Sequence, residues 1–366
     1  MEHRDLKVTN SILIFSFAAF AGLYYGASFL IPLTFGAFLA ALMAPFSDLL
    51  EKAKMGRTFS SLLSTIVVLV VSAGIFYLMF WQIGLFANDM PRIREEAMQF
   101  FRSIQQQLSS STGISPDEQE ELLRERSETI ISSVQNQVTN LLGNIMNVVL
   151  KFMLVLIYLF LFLLYRSRFF KFIMRYVPRE KDERATTIIE KTSKVVHYYL
   201  WGRIKVMAIL AAMYLTAFLI FDIRYTILLT VFGALVTIIP YIGPLISGVL
   251  PVCFLIVFGG TFTEIIIFGS VIFVIQLIES YILEPVIIGS EVKLNPLVII
   301  IAIIIGGMVW GIAGMILFVP LFAIVKIISD HTPNLKPVGY LIGEAEDEKP
   351  KKGFATTIKD FFKGSS

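Results

Sequence analysis

Charge is scarce in this sequence. Asp, Glu, Lys and Arg make up 16% of its 366 residues, where soluble globular domains carry about 25%, so the composition is that of an integral membrane protein. Cysteine is nearly absent. Cys253 alone excludes an intramolecular disulfide and any cysteine-rich metal centre, and inside its apolar run it is expected to pack as a small hydrophobe. The three histidines, His3, His197 and His331, are spaced too widely to suggest a metal site. A P-loop pattern is missing, which argues against an ATP-driven pump, and neither HExxH nor GxSxG occurs. No enzyme activity and no cofactor are expected. The net charge of +3 is too small to argue for a nucleic-acid partner.

Apolar residues take the place of the missing charges, at 56% of the chain with a mean hydropathy of +0.76. Crossing a bilayer takes roughly 20 apolar residues, and suitable runs lie at 11–28, 30–50, 59–87, 141–165, 200–221, 225–258, 264–283 and 296–328. The first two continue almost unbroken from Ser11 to Leu50 with no small-residue cleavage site, so they read as retained spans. Basic residues mark the cytoplasmic side. Lys52, Lys54 and Arg57 follow the second run, eleven basic residues against four acids fill 166–205, and Lys349, Lys351, Lys352, Lys359 and Lys363 lie in the tail. By contrast, 88–140 holds nine acids and five arginines and is expected outside. Eight crossings with both termini cytoplasmic satisfy all of these charges together.

Two of the intervening segments have helical signals of their own. Ser115, Pro116, Asp117 and Glu118 read as a capping box with proline at the first helical position. Leu123, Ile130, Val134, Val138 and Leu141 then recur at helical spacing. After Pro178, Ile188, Ile189, Val195, Val196 and Tyr199 form an apolar stripe opposite lysines, as in a helix lying on an anionic membrane surface or against a neighbouring subunit. The expected divisions are three spans in 1–87, an extracytoplasmic helical segment at 88–140 and a fourth span at 141–165. A cytoplasmic basic amphipathic segment at 166–199, a transport core at 200–330 and a cytoplasmic tail at 331–366 complete the chain.

The two longest runs are interrupted. PYIGP breaks the first with Pro240, Tyr241, Gly243 and Pro244; Gly306 and Gly307, then Gly311 and Gly314, break the second. Proline in a helix interior costs ~3 kcal/mol. Discontinuous helices with backbone groups available at mid-membrane are a pointer to transport sites, while glycines also permit close helix contact. Each run is either one bent span or a re-entrant hairpin. In QLIESYILEP the helical spacing places Gln276, Glu279 and Ser280 on one face, with Glu284 at the end of the run. An ionisable side chain at such depth costs about 2.5–3.5 kcal/mol, so it is expected to face a partner or water.

PYIGP at 240–244, QLIESYILEP at 276–285 and LNPLVIIIAIIIGGMVWGIAGMILFVPLFAI at 294–324 resemble the signature of the autoinducer-2 exporter family, the PerM-like permeases. YLWGR at 199–203 is similar to a tyrosine-glycine patch of that family, and the likeness covers nearly the whole chain. Membership implies a bacterial inner-membrane transporter, and it adds Asn295 to the pathway residues. Tyr281 stands where many relatives have asparagine, Glu284 where many lack an acid, and Arg203 where glutamine is common.

The expected fold is all-α and membrane-spanning, with about eight helices, two of them broken or re-entrant. The expected function is secondary transport or export of a small polar solute or signal molecule, with Na+ or H+ as coupling ion, the bilayer as environment and further copies of the chain as partners. A sodium or lithium/proton antiporter with Glu279 as ion carrier is one rival. A non-transporting scaffold or channel-like oligomer is another.

Overall fold

A computed structural model describes residues 2–112, 129, 132–133, 135–140, 142–176, 182–288 and 293–344. The capping box at 115–118, Leu123, Ile130, Val134, Leu141, Pro178 and the lysines of the tail lie outside the described residues. Twelve α-helices are labelled in chain order: α1 Glu2–Tyr25, α2 Ala27–Lys52, α3 Arg57–Asn88, α4 Met90–Thr112, α5 Ile145–Tyr176, α6 Asp182–Ile220, α7 Thr226–Val236, α8 Ile242–Val257, α9 Phe262–Ile278, α10 Pro296–Trp310, α11 Ile312–His331 and α12 Lys336–Ile342. A π-helix, Glu279–Ile288, continues α9. Among the described residues the only β pairing is an isolated antiparallel bridge between Leu294 and Gly343.

Helices dominate because a backbone in hydrocarbon must satisfy its own hydrogen bonds. Among the described residues six helices are long and apolar enough to cross a membrane: Ala27–Lys52, Arg57–Asn88, Ile145–Tyr176, Glu183–Ile220, Phe262–Ile288 and Ile312–His331. The chain is thus an all-α multipass membrane protein. Helices α1 and α2 are separated by Gly26 alone. Its φ of −81° and ψ of 2° stay near the helical region, and its N–H donates to the Gly22 carbonyl while its carbonyl accepts from Leu30 N–H. The join is a bend in a nearly continuous helix.

Both interrupted runs fold back on themselves. In 225–258 the break leaves α7 with 11 residues and α8 with 16, or ~16 and ~24 Å of helix, short of the ~30 Å of hydrocarbon. Gly233 lies against the Ser247 Cβ, and Tyr225 meets Phe258 with ring centroids 6.0 Å apart, so the two helices run antiparallel. In 296–328 the turn is at Gly311, with φ 59° and ψ −139°, a backbone that an L side chain rarely adopts. A Cβ on Gly306 would overlap the Gly314 backbone, and Trp310 meets Phe318 edge to face at 5.3 Å. At the base, Asn295 N–H donates to the Ile342 carbonyl and Glu344 N–H to that of Lys293, closing the loop through α12.

The chain divides into two compact units. The first comprises Met1–Leu69, Lys151–Ile204 and Ile282–Ser366. Its core gathers Phe38, Val196, Tyr199, Ala302, Ile303, Trp310, Leu317 and Phe318. The stripe at Val195, Val196 and Tyr199 is therefore buried against α10 and α11, with Lys191 and Lys194 exposed opposite. Gly36 of α2 lets the backbone at Val155 and Leu159 approach, and Ala40, Leu156, Leu159 and Leu163 pack beside it. The second unit comprises Val70–Leu150 and Lys205–Tyr281. Tyr214, Phe218 and Phe268 are fully buried at its centre, the first two stacked at 5.7 Å. Phe86, Met90 and Leu228 form a smaller cluster joined by Tyr225 and Phe254. Cys253 is exposed on α8, so it borders this unit's surroundings and not its packed interior.

Candidate functional site

The apex of the α7–α8 hairpin is built by proline. Pro240 has no N–H with which to continue α7, and Pro244 sits in the first turn of α8, where a donor is not needed. Between them Tyr241 holds φ 62° and ψ −47°, and Ile242 N–H reaches back to the Pro240 carbonyl at 2.7 Å. This is a γ-turn of the rare positive-φ hand. Gly243 is needed because a Cβ there would enter the backbone at Val236 and Thr237. The carbonyls of Leu235, Val236, Ile239 and Pro240 accept from Ile238, Ile239, Gly243 and Ile242 respectively. The turn thereby closes most of its own hydrogen bonds, while the Tyr241 side chain stands 62% exposed.

Polar side chains converge just inside this apex. Gln276 Nε2 donates to the Pro244 carbonyl at 2.6 Å, and Ser247 Oγ donates to the same oxygen at 3.2 Å. The Tyr214 hydroxyl lies 3.1 Å from Ser247 Oγ. Gly248 has no side chain because Gln276 occupies that space. Phe268, Ile272, Ile275 and Glu279 make up the buried stripe of α9 and its π-helical extension. Glu279 is fully buried, within electrostatic reach of Tyr214. Ser280, one residue off the stripe, is exposed. The stripe thus ends on a carboxylate where the pattern calls for an aliphatic side chain.

The remaining expected residues lie in the first unit. Arg203, 6% exposed at its side chain, donates from Nη1 to Glu284 Oε1 at 2.5 Å. Gly202 brings α6 against the Ile287 carbonyl and Ile288. Tyr199, buried one helical turn earlier, lies within the field of both charges. Pro285 accounts for the widened turn, since its ring would strike the Tyr281 carbonyl in an α-helix. Asn295 caps α10, its Oδ1 accepting from Leu297 N–H at 2.9 Å ahead of Pro296. Gly306 and Gly307 form the close-packed seam and Gly311 the turn of the α10–α11 hairpin, Gly307 lying under Met315.

Pro240, Gly243, Pro244, Gln276 and Glu279 are therefore gathered in one unit, with Tyr241 at the tip and Ser280 turned away. Glu284, Asn295 and the three glycines belong to the other. Tyr214 and Ser247 complete the polar cluster and were not expected. Their signal was present: a tyrosine amid the apolar run 206–220 needs a partner for its hydroxyl, and Ser247 follows Pro244 by three residues. A second polar cluster ties α4 to the base of the α7–α8 hairpin. Arg224 donates to both Glu96 oxygens at 3.1 and 3.3 Å and lies over the Phe258 ring, while the Tyr225 hydroxyl donates to Asp89 at 2.8 Å. Among the described residues no group of three or more His, Cys, Asp and Glu side chains stands ready for a metal ion.

Residues 13–334 match the family described as AI-2E family transporter. The chain is similar to TqsA of Escherichia coli (strain K12), named an AI-2 transport protein, at 23% identity over 89% of this chain and 93% of the relative. PerM of the same strain, named a candidate permease, is 26% identical over 88% and 93%. YrrI of Bacillus subtilis (strain 168), named a candidate transport protein, is 23% identical over 82% and 86%.

Proposed function

The chain belongs to the AI-2E transporter family, and on that premise we propose that it carries a small polar solute across a membrane by way of the α7–α8 apex and the Gln276–Glu279 turn. The observation behind this reading is the meeting of Tyr214, Ser247, the Pro244 carbonyl and Gln276 beside a fully buried Glu279, inside helices that are otherwise apolar. Such a set offers donors, acceptors and one charge to a solute, while the γ-turn holds the backbone around them. An organic signal of the kind in TqsA's name fits the uncharged part of the cluster. Burial of Glu279 favours a second reading, exchange of sodium or lithium against protons, because a carboxylate can carry either ion.

Proteoliposomes containing the full chain, with sodium and proton gradients imposed separately, decide between the two. Autoinducer-2 uptake without gradient dependence supports a facilitated exporter; sodium flux driven by a proton gradient supports antiport. Gln276→Leu should lower either flux with the protein still folded. Wild-type flux in that variant would reduce the cluster to a packing device.

A further inference from the structure

Helix α5 is longer than a membrane is thick. Its 32 residues make ~48 Å of rod, against ~30 Å of hydrocarbon. Lys151 is exposed near one end and, in lipid, such a side chain rests at the polar boundary. Counting ~20 residues of 1.5 Å from there uses up the hydrocarbon near residue 171. That level coincides with a change in the character of the helix. From Ser167 to Tyr176 every residue except Met174 is exposed.

Arg168, Lys171 and Arg175 follow one another at i, i+3 and i+7, which puts them on one face. Phe169, Phe172 and Tyr176 are 48, 58 and 77% exposed on the adjoining arc. Arg166, nearby, differs sharply: Asp48 and Glu51 hold it at 2.5 and 2.9 Å. Among the described residues no acid pairs with Arg168, Lys171 or Arg175, and the guanidinium of Arg168 lies 5.2 Å from the Tyr165 ring centroid. A row of cations with no acidic partner among the described residues, flanked by exposed aromatic rings at the depth of the polar boundary, matches a phosphodiester headgroup in charge and its glycerol and acyl region in apolarity.

We propose that the Arg168–Lys171–Arg175 face of α5 is a binding site for the headgroups of anionic phospholipids. The cations contact the phosphate and acidic headgroup, Phe169 and Phe172 lie at the glycerol and upper acyl level, and Tyr176 stands among the headgroups.

The test uses the full chain purified in mild detergent with an equimolar mixture of phosphatidylglycerol and phosphatidylcholine, and reads bound lipid by native mass spectrometry. The wild-type chain should retain phosphatidylglycerol preferentially. Single substitutions Arg168→Gln, Lys171→Gln and Arg175→Gln, each leaving two cations to guide insertion, should lower that preference about 5-fold apiece. Arg168→Lys with Arg175→Lys should keep it. Equal retention of both lipids by the wild-type chain overturns the proposal, as does undiminished preference in all three Gln variants. Displacement of the bound lipid by millimolar inorganic phosphate would reassign the face to a free anion. Preference that survives only while copies of the chain stay associated would reassign it to an interface.

Discussion

At the tip of the α7–α8 hairpin two prolines and a tyrosine of positive φ turn the chain; at the tip of α10–α11 a single glycine does so. The interiors differ in the same sense. Behind PYIGP stand a tyrosine, a serine, a glutamine and a buried carboxylate. Behind Gly311 the helices meet backbone to backbone through Gly306 and Gly314, with Phe318 and Met315 filling the flanks. Two breaks that look alike as sequence are thus distinct physically. One organises polar groups, and the other removes side chains so that helices can touch.

That contrast is exposed to experiment, starting from the glycine hairpin. Gly306→Leu places a branched side chain into the Gly314 backbone and should cost on the order of 3 kcal/mol or more. It should be seen as lost monodispersity and a lowered unfolding temperature in detergent. A well-folded Gly306→Leu protein with impaired flux would break the comparison, since the second hairpin would then also serve transport.

The polar hairpin should respond in function before stability. On the antiport reading, Glu279→Gln, which keeps size and hydrogen bonding and removes titration, should abolish the pH dependence of flux while expression stays normal. A wild-type pH profile in that variant would exclude Glu279 as the coupling group. Replacing Pro240 and Pro244 together with alanine frees the turn to become helical, and a roughly tenfold loss of flux, ~1.4 kcal/mol in a barrier, is expected from a protein that still inserts. Unchanged flux would leave PYIGP as a packing bend.

The smallest effect should come from Asn295→Ala. It removes one cap of α10, worth ~1 kcal/mol, and should lower the unfolding temperature slightly without touching transport. A large transport defect at unchanged stability would move Asn295 from cap to pathway.

Much of this arrangement could be read from composition and spacing. Pro240 and Gly311 announce the breaks, and the interval from Phe268 through Ile272 and Ile275 to Glu279 is the helical rhythm that buries the acid. Ser280 shows the limit of such reading. Spacing from Gln276 admits both Glu279 and Ser280 to one face, and only the neighbouring helices decide which is covered. Arg203 and Glu284 stand out separately, but their pairing across 81 residues depends on how α6 and the π-helix approach at Gly202. Gly26 was equally illegible: one glycine between two apolar runs suits a tight reversal or a bend, and its near-helical backbone selects the bend.

The π-helix also bears on how the sequence can change in length. A π turn holds an additional residue relative to an α turn, and Pro285 is the residue whose ring keeps this one wide. Deleting Pro285 would remove the surplus residue and the obstacle together, letting the segment close into α with Glu279 still in its stripe. A deletion within α9 has no such outlet, because it would swing Phe268 or Ile272 about 100° around the helix axis. Natural shortening or lengthening of this region should therefore collect between Ser280 and Ile288, where the register has slack, and spare the helix before it.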